Sequence, residues 1–156
     1  MTSVTPDPDD RTLLSWAVFL ARLQLGLMFF MPGVWRVFQV GPLEHARRFF
    51  VEPYAETFLP GWTLWGVGAA IPFVELVAGG LLLVGLWRRP ALVVLGLELV
   101  VITFGHLLAD PLFAFHSHVL PRLVLLLFLM VVPLERDRWA LDLRGGRGRL
   151  PGEVAS

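Results

Sequence analysis

Residues 62–87 read WTLWGVGAAIPFVELVAGGLLLVGLW, and this stretch decides the fold. Its only ionisable side chain is Glu75. A bilayer core about 30 Å thick is crossed by about 20 helical residues. The stretch is long enough to span it, and a charge inside it needs a partner or a water-filled cavity. Gly66, Gly68, Ala78, Gly79, Gly80 and Gly85 let neighbouring backbones come close, which predicts a helix at the centre of a bundle. Pro72 frees the carbonyl of Gly68 and predicts a kink about one turn before Glu75.

Working outward, three more stretches qualify as spans: residues 12–34, 90–108 and 118–134. In the last, Pro121 falls in the first turn, where its missing N–H is tolerated. The six tryptophans (Trp16, Trp35, Trp62, Trp65, Trp87 and Trp139) fall near the ends of these segments, as an aromatic belt at the headgroups requires. Hydrophobic residues make up 56% of the 156-residue chain and charged residues 17%, against about a quarter charged in soluble domains. The expected fold is therefore an all-α integral membrane protein, a four-transmembrane-helix bundle. A short interfacial segment joins helices 1 and 2, because LEHARRFF at residues 43–50 mixes charge and aromatics at helical spacing. An ordered loop resting on the helix ends is the alternative. Residues 1–11 are expected to be a disordered acidic N-terminus, residues 12–143 the membrane domain, and residues 144–156 a flexible basic tail. The first apolar stretch is too long for a secretory signal and reads as a retained helix.

Several function classes drop out. Net charge is zero, which argues against nucleic acid, since phosphate binding needs a basic face. Cysteine is absent, which removes disulfides, thiolate metal sites and any catalytic dithiol. The bilayer itself is one partner. Four short helices leave much lateral surface, so other membrane subunits or a second copy are expected as well. All thirteen basic residues are arginine. Arg11, Arg88, Arg89, Arg136, Arg138, Arg144, Arg147 and Arg149 fall on the side of the termini, and Arg36, Arg47 and Arg48 fall opposite. The positive-inside rule then puts both termini in the cytoplasm of a bacterial inner membrane.

Five ionisable residues lie inside the apolar stretches: Arg22, Glu75, Glu98, His106 and Arg122. Counting about 1.5 Å per residue places Arg22 about 15 Å deep, with Glu75 and Glu98 within a turn of that level. An arginine keeps its proton and suits a bidentate carboxylate, so one glutamate is expected to pair with Arg22. The other remains as a surplus carboxylate in a low-dielectric place. That arrangement suits a proton carrier, or a hydrogen-bond donor toward a quinone-like carbonyl. Arg22, Glu75 and Glu98 are accordingly the candidate catalytic or proton-relay residues. A structural lock between Arg22 and Glu75 is the competing reading. His106 and Arg122 form a second, outer layer that joins the candidate cofactor-binding residues. Near it, His106, Asp110, His116 and His118 have metal-compatible identities, but their spacing matches no specific ligand motif, and no metal is assigned.

Arg22, Gly26 and the run Gly33-Val34-Trp35-Arg36 resemble the first helix of the DoxX family of small four-helix bacterial membrane proteins. Pro72-x-x-Glu75-x-x-x-Gly79-Gly80 followed by Gly85 and Arg89 resembles its second helix. Leu59-Pro60 and Asp137-Arg138-Trp139-Ala140-Leu141-Asp142 are similar as well. The resemblance implies a four-helix fold and an association with redox complexes, including thiosulfate–quinone oxidoreductase, and it carries over to Arg22 and Glu75. Three functions are left open by the sequence. One is a quinone- or proton-linked subunit of a membrane oxidoreductase system; the others are a non-enzymatic scaffold and a small proton-linked transporter.

Overall fold

Helix α1 runs Pro8–Trp35. It opens where proline fixes φ, and Asp9 and Asp10 sit at the positive end of the helix dipole. Residues 8–11 of the expected acidic N-terminus are therefore helical. The computed structural model describes residues 8–109, 119–133 and 136–141. After α1 come a π-helical turn (Arg36–Val40), a break at Gly41 with φ of 87°, the short helix α2 (Pro42–Ala46) and a second π-helical turn (Arg47–Val51). Helix α3 (Gly61–Val84) ends in a left-handed glycine, Gly85 at φ of 71°. There the Leu86 N–H reaches the Leu81 carbonyl at 2.9 Å and the Gly85 N–H reaches that of Leu82 at 3.1 Å. This double closure needs a residue without a Cβ at the turn. Helix α4 follows at Arg88–Ala109 and helix α5 at Leu120–Val131, with Pro121 in its first turn as expected.

All described regular structure is helical, and three segments are long and apolar enough to cross a bilayer: Asp9–Val40, Gly61–Val84 and Arg88–Ala109. Helix α5 has 12 residues, about 18 Å of rise and short of a full crossing. A fourth span is thus not shown, and the ends of the expected segment, residues 118 and 134, lie outside the described residues. The chain is a multi-pass helical membrane protein.

Glycines set how α1 meets α3. A Cβ on Gly33 would stand 2.5 Å from the Leu76 nitrogen, and one on Gly79 would stand 2.6 Å from the Phe30 nitrogen. Farther down, one on Gly26 would meet Leu83 at 2.9 Å. The two helices are antiparallel, with their backbones in contact where only glycine fits. Around this seam Leu25, Phe29, Leu82, Leu95, Leu99 and Leu126 form the buried core. Leu27, Met31, Phe73, Val77, Leu97 and Val100 face outward, as lipid-facing positions should.

The segment between the first two spans is helical in short pieces. It climbs the N-terminal half of α3: a Cβ on Gly68 would sit 2.7 Å from the Ala46 Cα. The reason is local. Pro72 cannot donate to the Gly68 carbonyl, and His45 Nδ1 takes that carbonyl at 2.8 Å. A carbonyl only accepts, so Nδ1 carries the hydrogen and Nε2 is left as an acceptor. Burial pushes the His45 imidazole below its ordinary pKa, opposed by the bond to Gly68. On the outer side of the same segment, Arg47 grips Glu44 with two bonds of 2.6 and 2.8 Å, and Arg48 joins them. These bonds, with Arg47 first, hold the Glu44 carboxyl down at about 2.

Candidate functional site

The glycine register decides which charges meet. Gly33 lies against Leu76 and Phe30 against Gly79, so Glu75 is level with the end of α1 and Arg22 is level with the end of α3. The expected pairing of Arg22 with Glu75 is therefore corrected. The depth count assumed that α1 and α3 reach the outer surface together. In fact α3 runs on past α1 by about twelve residues, roughly 18 Å, and residues 36–51 cover the difference.

Arg22 instead belongs to a lock at the C-terminal end of α3. Its Nε donates to Asp137 Oδ2 at 2.6 Å, and a terminal nitrogen donates to the Leu82 and Leu83 carbonyls. Arg88 donates to the same Asp137 oxygen at 3.3 Å. Arg22 and Arg88 are each 2% exposed and Asp137 is fully buried. A guanidinium leans back along its helix toward the N-terminus, here toward carbonyls at the negative end of a helix dipole. Trp139 stacks on Trp16 at 4.4 Å and on Phe19 at 5.0 Å, which seats residues 136–141 on this end of the bundle. The competing reading, a lock between Arg22 and Glu75, is corrected in the same way: Arg22 is tied to Asp137 and not to Glu75.

Glu75 is fully buried, and Arg36 is its partner through Oε2. Its other oxygen, Oε1, has no hydrogen bond among the described residues. Glu98, on α4, is 6% exposed, and neither of its carboxylate oxygens has a partner there. The charges acting on Glu98 are those of Glu75, Arg36 and Arg122. Arg122 comes from α5, with its guanidinium carbon 5.1 Å above the Phe29 ring and its Nε unbonded among the described residues. Two buried glutamates and two partly buried arginines thus form one charge centre. The layer of Glu75 and Glu98 stands as expected, and Arg36 replaces Arg22 in it.

Above this centre is a cavity of about 360 Å³. Its polar lining is Arg36, Arg122, His45, His106 and Tyr54, set among Trp35, Phe49, Phe50 and aliphatic side chains. His106 and Arg122 were expected in a separate outer layer; both line the cavity, and the charge of Arg122 also acts on Glu75 and Glu98. The Tyr54 hydroxyl lies 3.2 Å from where a Cβ on Gly105 would stand, so that glycine makes room for it. Burial pushes the Tyr54 phenol up, which keeps its hydroxyl a donor. Among the described residues, no three histidine, aspartate or glutamate side chains group as metal ligands. Asp110, His116 and His118 lie outside the described residues.

Arg36, His45, Tyr54, Arg88 and Asp137 were not singled out as site residues from the sequence. Arg36 had been counted as a loop charge, and Asp137 had entered only through the resemblance. The signal for Arg36 was in the glycines: matching Gly26 and Gly33 to Gly79 would have set the register.

Neither the curated proteins nor the solved structures contain a match to the chain. Residues 14–119, from α1 to the residue before α5, match the family described as methylamine utilisation protein MauE. That range includes Arg36, Glu75, Glu98 and His106 and stops short of Arg122 and Asp137. The family shown is this one and not DoxX, although both are families of small multi-pass membrane proteins. The chain belongs to the methylamine utilisation protein MauE family.

Proposed function

We propose that this protein is a redox-associated membrane subunit serving methylamine utilisation, and that it works through a proton held at Glu98. The observation that carries the reading is Glu98 itself. It is a carboxylate 6% exposed with both oxygens unbonded among the described residues. Leaving buried polar atoms unpaired costs about 1–3 kcal/mol, more when charged, and such costs persist where chemistry uses them. The neighbouring charges provide the electrostatic balance a proton site needs. Arg36 answers Glu75, and Arg122 stands near Glu98, so a proton can come or go without stranding a large net charge. The chain has no cysteine, so a thiol relay is not the means. The proposed setting is a bacterial inner membrane with cytoplasmic termini, supported by Arg11, Arg89, Arg136 and Arg138 on that side.

The test is a strain lacking the native gene, complemented with wild type or Glu98→Gln and supplied with methylamine. Methylamine-dependent oxygen uptake should fall at least tenfold with the variant, while its abundance in the membrane and growth on another carbon source stay unchanged. Wild-type uptake with Glu98→Gln would remove the proton-linked role.

A second reading, a purely structural subunit, is favoured by one observation. The Arg22–Arg88–Asp137 lock is buried on every side and seats the chain's C-terminal segment on the bundle. It predicts that Glu98→Gln is silent while Asp137→Ala removes the protein and its partners from the membrane together.

A further inference from the structure

We infer that the cavity above the charge centre binds the head of a quinone-class amphiphile, with Arg122 donating to a ring carbonyl and the tail leaving toward lipid. The inference rests on the reading of this charge centre as redox-associated and names the ligand of the same site. Four observations carry it.

The first is size. A cavity of about 360 Å³ falls within the range of small-molecule pockets, roughly 300–1,000 Å³. The second is shape. Trp35, Phe49, Phe50 and Tyr54 present aromatic surfaces to it, which suits a flat ring more than a branched headgroup. The third is hydrogen-bonding capacity. Among the described residues the lining holds two guanidiniums and no carboxylate, and Arg122 Nε has no partner there. The ligand must therefore bring acceptor oxygens. A neutral ring carbonyl supplies such an oxygen without carrying a further charge into a low-dielectric site. His45 Nε2, with Nδ1–H committed to Gly68, offers an acceptor in the same cavity for the hydroxyl of a reduced ring. The fourth is access. Trp35, Phe49 and Val101 line the cavity and are 53%, 49% and 43% exposed. In a bilayer that surface meets acyl chains, so a long apolar tail can remain in lipid while the head is held inside.

The test uses the full chain in phosphatidylcholine nanodiscs, titrated with decylubiquinone and read by quenching of tryptophan fluorescence. Wild type should show saturable quenching. Arg122→Gln should weaken it at least tenfold, and Ile102→Phe, which fills the cavity and leaves both arginines in place, should weaken it comparably. Arg47→Gln, outside the cavity, should bind as wild type. Quenching that rises linearly and identically in wild type, Arg122→Gln and Ile102→Phe would overturn the inference. So would a saturable, Arg122-dependent fluorescence response to phosphatidylglycerol with none to decylubiquinone, which would give the cavity to an anionic lipid head. Glu98→Gln separates the two readings. A methylamine defect without any saturable binding in wild type overturns the ligand alone; intact binding without a methylamine defect overturns the proton role alone.

Discussion

Replacing Asp137 with alanine should destabilise the protein more than any exposed charge change, and the structure supplies the size. Asp137 is fully buried and accepts from Arg22 at 2.6 Å and from Arg88 at 3.3 Å. Without it, Arg22, which is 2% exposed, loses its counter-charge, and Arg88, equally buried, loses one of its partners. Removing one partner of a buried pair costs about 3–5 kcal/mol, because the remaining charge cannot be rehydrated. Arg22 keeps the Leu82 and Leu83 carbonyls, which sets the expectation at about 3 kcal/mol, the lower end of that range. At about 2–4 °C per kcal/mol for a chain of this length, the midpoint should fall by roughly 10 °C. Asp137→Asn keeps an oxygen for the Trp139 N–H, which now bonds Oδ1 at 3.3 Å, and should lose about half as much. The assay is thermal unfolding in detergent, with near-ultraviolet circular dichroism on the stacked Trp16 and Trp139. An Asp137→Ala protein that melts as wild type and keeps the tryptophan signal would refute the lock.

His45 and the first charge pair yield two further expectations. His45→Phe leaves the Gly68 carbonyl freed by Pro72 without its partner, a loss of about 1–3 kcal/mol. Burial lowers the imidazole pKa, so the fold favours the neutral ring. That stability is full above the ordinary value near 6.5 and is lost as pH falls below it toward the folded value. Melting profiles against pH should slope in that window for wild type and be flat for His45→Phe; equal slopes would show that His45 is not the titrating group. The register between α1 and α3 makes Arg36 and not Arg22 the partner of Glu75. Arg36→Glu should destabilise by about 3–5 kcal/mol, and Arg36→Glu with Glu75→Arg should recover more than half of that. Arg22→Glu with Glu75→Arg should recover nothing, and recovery there would return the pairing to Arg22.

Much of the architecture was legible because bilayer physics is a strong filter. Uninterrupted apolar length identified three spans to within a few residues, and Pro72 pointed to a carbonyl, that of Gly68, that needed an outside donor. The layer containing Glu75 and Glu98 could also be read, because α3 and α4 are joined by a turn too short to allow slippage. The relation of α1 to α3 could not be read from length. A connection spanning residues 36–60 permits many offsets, and the chosen one is fixed by glycine contacts between backbones. Arg36, two residues past a plausible helix end, looked like a loop charge for that reason. Asp137 lies after the last apolar stretch, and nothing in its local sequence says that it turns back into the bundle. The resemblance to DoxX rested on the same short Arg, Glu and Gly patterns, which serve the close packing of such helices in general.

The most direct test of the charge centre is infrared difference spectroscopy on the full chain in nanodiscs, comparing wild type with Glu98→Gln through a pH titration. The expected result is a carboxyl signal that appears and disappears with pH in wild type and is missing from the variant, with helix bands unchanged. Superimposable titrations of the two proteins would contradict it and leave Glu98 without a proton to carry.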